Sequence, residues 1–203
     1  MIEKVAALIL RENEEQKELL TFKHPTAGRQ LPAGTVEENE LPETALLREI
    51  KEEAGLTRIE IVKKLGENIS FTKEDEFILL KPVRFYAWPV QRAARVGPLH
   101  TRGVRVELVE RKAGFIRVRD RDVDINQTPP KELSKVEGWL PAELLTHQIK
   151  RHFYLVNVLE KTKTNWRQTS DMGHIFQLEW LPLDPRPDLI GEQSDWLNYL
   201  ENN

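Results

Sequence analysis

The chain is 203 residues long, 39% hydrophobic and 31% charged, with no cysteine and a formal net charge of −3. That length can bury a full core in one domain, and the composition is ordinary for a soluble protein. Lack of cysteine excludes disulfides and thiolate metal sites, and the small negative charge gives no overall attraction to nucleic acid or to an anionic membrane.

The opening MIEKVAALILREN has one short apolar run, Val5 to Leu10, flanked by acids as well as bases. It predicts a strand rather than a signal peptide or a membrane span, and with that a cytoplasmic protein. Residues 17 to 24, with Leu19, Leu20 and Phe22 apolar, predict a second strand reached through the polar ENEEQ segment. Leu31-Pro32-Ala33-Gly34 then has the character of a strand ending in a tight turn, where glycine lets the backbone come close to a ligand or metal.

Next comes a helix. Leu46, Leu47, Ile50 and Ala54 recur at helical spacing and can form one buried stripe. Pro42 suits the first turn, Glu43 the positive end of the helix dipole, and Gly55 a left-handed C-terminal cap. On this helix Glu49, Glu52 and Glu53 lie three and four residues apart and project from one side. Like charges at that spacing cost roughly 0.2–0.5 kcal/mol per pair unless a cation reverses the sign. Magnesium suits such a cluster, since it prefers oxygen ligands and is commonly held by a few carboxylates while substrate phosphates complete its shell. The Gly34 carbonyl is a candidate further ligand. A plainer alternative is a solvated helix on which Arg48 pairs with Glu52 and Lys51 dilutes the negative field.

Gly34, Glu40, Arg48, Glu49, Ile50, Glu52, Glu53, Gly55 and Leu56 meet every fixed position of the pattern G-x5-E-x7-R-E-U-x-E-E-x-G-U, with U aliphatic. The stretch from Gly34 to Leu56 therefore resembles the Nudix box. The resemblance implies an α/β (α+β) fold, an α/β/α sandwich around a mixed sheet, in a hydrolase that cleaves nucleoside diphosphates linked to another moiety with Mg2+ or Mn2+. By position, Glu52 and Glu53 would be the principal metal ligands, with Glu49 and the Gly34 carbonyl as further ones. Arg48 would orient the glutamates, and Glu40 would support the loop or reach the metal through water. The catalytic set is then Arg48, Glu49, Glu52 and Glu53. Glu52 or Glu53 is a candidate proton acceptor, as is an acid from a mobile loop such as Glu74, Asp75 or Glu76.

Beyond the box, TRIEIVKKL and EFILLKPVRFYAWPV are rich in β-branched and aromatic residues and predict further strands. The chain is expected to be a single Nudix domain over residues 1–203, with residues 91–138 as an insertion longer than a minimal family member carries. Within it, VRVELVERK and FIRVRDRDVDI alternate apolar with charged residues around Ala113-Gly114, predicting a β-hairpin with one wet face. From Arg92 to Arg121 nine bases stand against Glu107, Glu110 and Asp120. A phosphate-gripping arm or a solvated hairpin both fit, and with Phe115 as the one aromatic there, single-strand nucleic-acid binding is not expected.

Farther on, WLPAELLTHQIKR predicts a short helix, HFYLVNVLE and GHIFQLEWLPL predict strands, and DWLNYLENN a closing short helix. Trp166 falls in the polar stretch TKTNWRQTSD, expected to be a loop, and is a candidate lid over the substrate. Arg29 and Gln30, just before the LPAG turn, are candidate phosphate or ring contacts. Markers that separate Nudix subfamilies outside the box, a proline near Ser70 or a tyrosine among Phe71 to Lys73, are absent. The expected partner is a small-molecule nucleotide, with no membrane or nucleic-acid partner and with a homodimer left open. The alternative function is a non-catalytic Nudix module that binds a nucleotide-like effector or a protein.

Overall fold

A computed structural model describes residues 1–13, 16–170 and 173–201. Glu14 and Glu15 of the ENEEQ segment, Asp171 at the end of the Trp166 stretch with Met172 after it, and the last two residues of the expected closing helix lie outside the described residues. The chain begins with β1 (Ile2–Glu12), β2 (Lys17–His24), β3 (Gly28–Gln30) and β4 (Ala33–Thr35). Helix α1 (Pro42–Ala54) follows, then β5 (Ile59–Phe71), β6 (Glu76–Leu79), β7 (Val83–Tyr86) and β8 (Arg95–His100). Three long strands come next: β9 (Arg105–Lys112), β10 (Phe115–Asp124) and β11 (Lys131–Pro141). The chain ends with β12 (Leu145–Thr146), β13 (Gln148–Val158), β14 (Asn165–Thr169), β15 (Ile175–Pro182), and two single-turn helices, α2 (Gln193–Trp196) and α3 (Asn198–Glu201). These form two compact units, Lys4–Asn68 with Arg151–Asn203, and Met1–Glu3 with Ile69–Lys150. Among the described residues no helix is long and apolar enough to cross a membrane.

In the first unit the sheet order is β14-β15-β2-β1-β13-β5, with β3 paired to β2 and β4 to β1. Strand β1 shows why both faces must be covered. Its side chains alternate between faces, yet Val5 through Ile9 are all fully buried. Val5, Ala7 and Ile9 pack with Leu46, Ile50 and Ala54 of α1, while Ala6 and Leu8 pack with Trp196 and Leu197 at the C-terminus. Helical turns thus cover both faces of one sheet, the α+β arrangement the resemblance implies.

The second unit has its own core, built on Phe77, Leu79, Phe85, Val106, Ile116, Val118 and Leu140. Its sheet runs β12-β6-β9-β10-β11-β7-β8. Strands β9 and β10 form the hairpin, turning through Ala113 at φ 48° and Gly114 at φ 77°. Two consecutive positive φ values mark the kind of tight turn whose twist matches a β-ribbon. The unit starts earlier and ends later than the stretch 91–138, taking in β6, β7 and β12.

Four arginines of the hairpin, Arg105, Arg117, Arg119 and Arg121, pair with acids on adjacent strands. Glu137 of β11 accepts from Arg119 at 2.7 Å and Arg117 at 2.9 Å, Glu107 pairs with Arg121, and Glu76 accepts from Arg105 at 3.0 Å. The Arg119 hydrogen bond holds the Glu137 carboxyl below its ordinary range.

No helix follows Pro141; Ala142–Leu144 make a single 3-10 turn. Leu145 and Thr146 pair with Leu79 and Ile78, and Ile149 is buried with Ile2 and Ile78. Sheet pairing and burial override the modest helix propensity of that stretch.

Candidate active site

Helix α1 starts with Pro42 in its first turn, where the missing amide is no loss, and ends at Gly55, whose φ of 71° closes a hydrogen bond to the Lys51 carbonyl. Burial of Ala45, Leu46, Ile50 and Ala54 fixes its rotation about its axis. That rotation sets Arg48, Glu49 and Glu53 beside strand β4, which is held in place by the pairing of Val5 with Gly34 and Lys4 with Thr35.

Arg48 is the hub. Its Nε and Nη2 donate to the two oxygens of Glu40 at 3.0 and 2.9 Å, and Nη2 also donates to the Thr35 carbonyl at 3.0 Å. Its Nη1 donates to Glu49 Oε1 at 2.8 Å and Glu52 Oε2 at 3.2 Å. One guanidinium therefore offsets the repulsion among carboxylates stacked on one helix flank. The Arg48–Glu52 pair of the plainer alternative exists as one arm of this larger cluster. The hydrogen bond from Arg48 holds the Glu40 carboxyl below its ordinary value against the opposing effect of burial, and that to Glu40 is the first cause of a raised Arg48 pKa. Glu40 Oε2 also accepts the Glu37 amide at 2.9 Å, which ties down the loop before the helix.

Gly34 is required by a close approach. A Cβ there would lie 1.9 Å from both Cδ and Oε1 of Glu49, so only glycine admits that carboxylate against the backbone. On the same strand the Ala33 amide donates to Glu53 Oε2 at 2.9 Å. Among the described residues no three His, Asp or Glu side chains converge as a metal cage does. The donor set is nonetheless all oxygen, and the bare Cα of Gly34 makes a cradle for Glu49, which fits a hard cation that keeps part of its water shell.

The remaining candidates are placed as follows. Arg29, on β3, donates through Nε and Nη2 to Glu179 at 2.9 and 2.7 Å, and Gln30 donates to the Ala27 carbonyl at 3.0 Å. Trp166 lies not in a loop but on strand β14, where its Nε1 donates to the Ala54 carbonyl at 2.9 Å. It also lines a cavity of about 320 Å³ with Lys23, Arg167, Gln177 and Glu179. Glu74, Asp75 and Glu76 belong to the second unit, Glu76 opening β6. Gln168, absent from the expected site, donates to the Glu52 carbonyl at 3.3 Å. Strand alternation from Trp166 would have placed it on the same face, had TKTNWRQTSD been taken as a strand.

The NUDIX domain model matches residues 2–155. No curated protein sequence matches the chain. Among solved structures it is similar to an Ap4A hydrolase from C. elegans, at 13% identity and a TM-score of 0.45, over 100% of this chain and 95% of that one. It is also similar to the NUDIX domain of Shewanella oneidensis NrtR in complex with ADP ribose, at 12% identity and a TM-score of 0.45, over 99% of this chain and 86% of that one. Likenesses so distant say nothing about substrate. The match over residues 2–155, together with an unbroken motif from Gly34 to Leu56 whose side chains meet around Arg48, shows that this chain belongs to the NUDIX domain family.

Proposed function

We propose that the chain hydrolyses a phosphoanhydride bond in a nucleoside diphosphate linked to another moiety, or in a nucleoside triphosphate, with Glu49, Glu52, Glu53 and the Gly34 carbonyl as ligands of Mg2+ or Mn2+. The observation that carries this reading is the convergence of Glu40, Glu49 and Glu52 on Arg48, with Glu49 pressed against Gly34. A bound dication supplies charge neutralisation for the diphosphate and acidifies the attacking water. Arg48 holds Glu49 and Glu52 in register before that ion arrives, which lowers the ordering cost of binding it. Glu40 anchors Arg48 and the loop, and the Ala33 amide fixes the rotamer of Glu53. Glu52, with 32% of its side chain exposed against 14% for Glu49, is the better placed to take a proton from water entering from solvent. Arg29 and Gln30 are proposed to border the nucleotide.

A second reading, a module that binds a nucleotide-like effector without cleaving it, draws on the same Arg48, since one arm of its guanidinium already engages Glu49 and Glu52. A panel of dinucleoside polyphosphates, nucleoside diphosphate sugars and nucleoside triphosphates, assayed with Mg2+ or Mn2+ for phosphate released after phosphatase coupling, separates the two. Turnover of at least one compound supports the enzyme; saturable binding with no turnover of any compound supports the module.

A further inference from the structure

An α-helix leaves its last carbonyls without intrahelical donors, and its C-terminus carries the negative end of the dipole. Helix α1 places Glu52 and Glu53 in that last turn, so two carboxylates sit where a negative charge is least favourable. Two carbonyls of that turn are satisfied from outside the helix. Trp166 Nε1 donates to Ala54 and Gln168 Nε2 to Glu52, at 2.9 and 3.3 Å, while the Gly55 amide returns to Lys51 at 3.0 Å. Both outside donors stand on β14, two residues apart and so on one face of the strand. Strand β14 is anchored by its antiparallel register with β15, Trp166 opposite Leu178 and Gln168 opposite Phe176. The fit at the corner is close, since a Cβ on Gly55 would come within 2.6 Å of Gln168 Oε1.

We infer that Trp166 and Gln168 are positioning residues that clamp the last turn of α1 and thereby set the spacing of Glu52 and Glu53 for a divalent cation. The inference rests on the metal-dependent reading above. Trp166 acts through its indole N–H on the helix, so its contribution is to the ligand set rather than to a lid. The two donors also draw off the partial negative charge of the terminal carbonyls beside the carboxylates.

Trp166→Phe keeps an aromatic ring and loses the donor; Gln168→Met keeps length and loses the amide. Each variant is compared with wild type by amide hydrogen exchange of residues 51–55 without metal, by Mn2+ titration followed by electron paramagnetic resonance, and by turnover at rising Mn2+. The expected result is exchange about tenfold faster in residues 51–55, the order of one net hydrogen bond, with residues 45–47 unchanged. The Mn2+ dissociation constant should rise by a similar factor, and turnover should recover at high Mn2+. Unchanged exchange and Mn2+ affinity in both variants, or a raised KM for nucleotide that added Mn2+ does not reverse, would overturn the clamp. Should the wild type bind no Mn2+ at all, the metal-dependent reading fails and the clamp's stated purpose with it. The exchange comparison shows separately whether β14 restrains the turn, and a variant that does not fold leaves the other to decide.

Discussion

Arg48 grips Glu40 with two parallel hydrogen bonds, Nε to Oε1 at 3.0 Å and Nη2 to Oε2 at 2.9 Å, a forked pair that lysine cannot reproduce. The pair joins the loop before α1 to the middle of the helix and leaves Nη1 to collect Glu49 and Glu52. Structure and electrostatics meet at this residue.

Replacing Arg48 with methionine removes the guanidinium that Glu40, Glu49 and Glu52 share and leaves three carboxylates close together. Stability at neutral pH should fall by about 1–3 kcal/mol, read as a loss of several degrees in Tm. Since Glu40's folded pKa lies below its unfolded value, its contribution is present above that unfolded value, about 4.3, and is lost as pH falls through the folded one. Glu43, held low by the Tyr154 hydroxyl at 2.8 Å, adds to the same acid-side loss. Urea titrations from pH 7 to pH 3 should show wild-type stability declining below about pH 4.5, and a shallower decline in Arg48→Met. Equal slopes would mean that Arg48 does not set the Glu40 titration.

Gly34→Ala separates function from fold. The added methyl meets the end of the Glu49 side chain, which can swing away, so stability should change by about 1 kcal/mol or less. The displaced carboxylate should weaken Mn2+ binding and turnover about tenfold or more, as expected when a ligand is moved from its geometry. A thermal melt beside a Mn2+ titration checks both halves.

Arg117, Arg119 and Arg121 of the β9–β10 hairpin are engaged by Glu107 and Glu137. Triple replacement of Arg117, Arg119 and Arg121 with glutamine should lower the resistance of the second unit to proteolysis and leave KM for the nucleotide within about twofold, the size expected of remote, screened charges. A KM that rises about tenfold or more would assign them to substrate binding instead.

The helix and its flanking glycines were legible because their signals are local: Pro42 and Gly55 mark the ends, and Leu46, Ile50 and Ala54 mark the buried face, although Leu47, expected in the same stripe, is exposed and Ala45 takes its place. The hairpin was legible for the same reason, through alternation around Ala113-Gly114. What escaped depends on distant pairing. Phe77, Leu79, Phe85 and Tyr86 spell strands, but nothing in their spacing says that they join β9 to β11 in a second core. The helix expected after Pro141 gives way because Leu145 and Thr146 find partners some seventy residues away, at Leu79 and Ile78. Likewise Trp166 and Gln168 sit in a stretch so polar that only its pairing with β15 identifies it as a strand. Glu137 neutralises the hairpin from outside the stretch of excess positive charge.

Glu52→Gln tests the central claim most directly. The substitution keeps shape and the Arg48 contact as a neutral acceptor, and removes the charge proposed to hold the metal and take the proton. With the best nucleotide of the panel and saturating Mg2+, the variant should melt within a few degrees of wild type and lose turnover by about a thousandfold. Turnover equal to wild type in a folded Glu52→Gln protein would contradict the account.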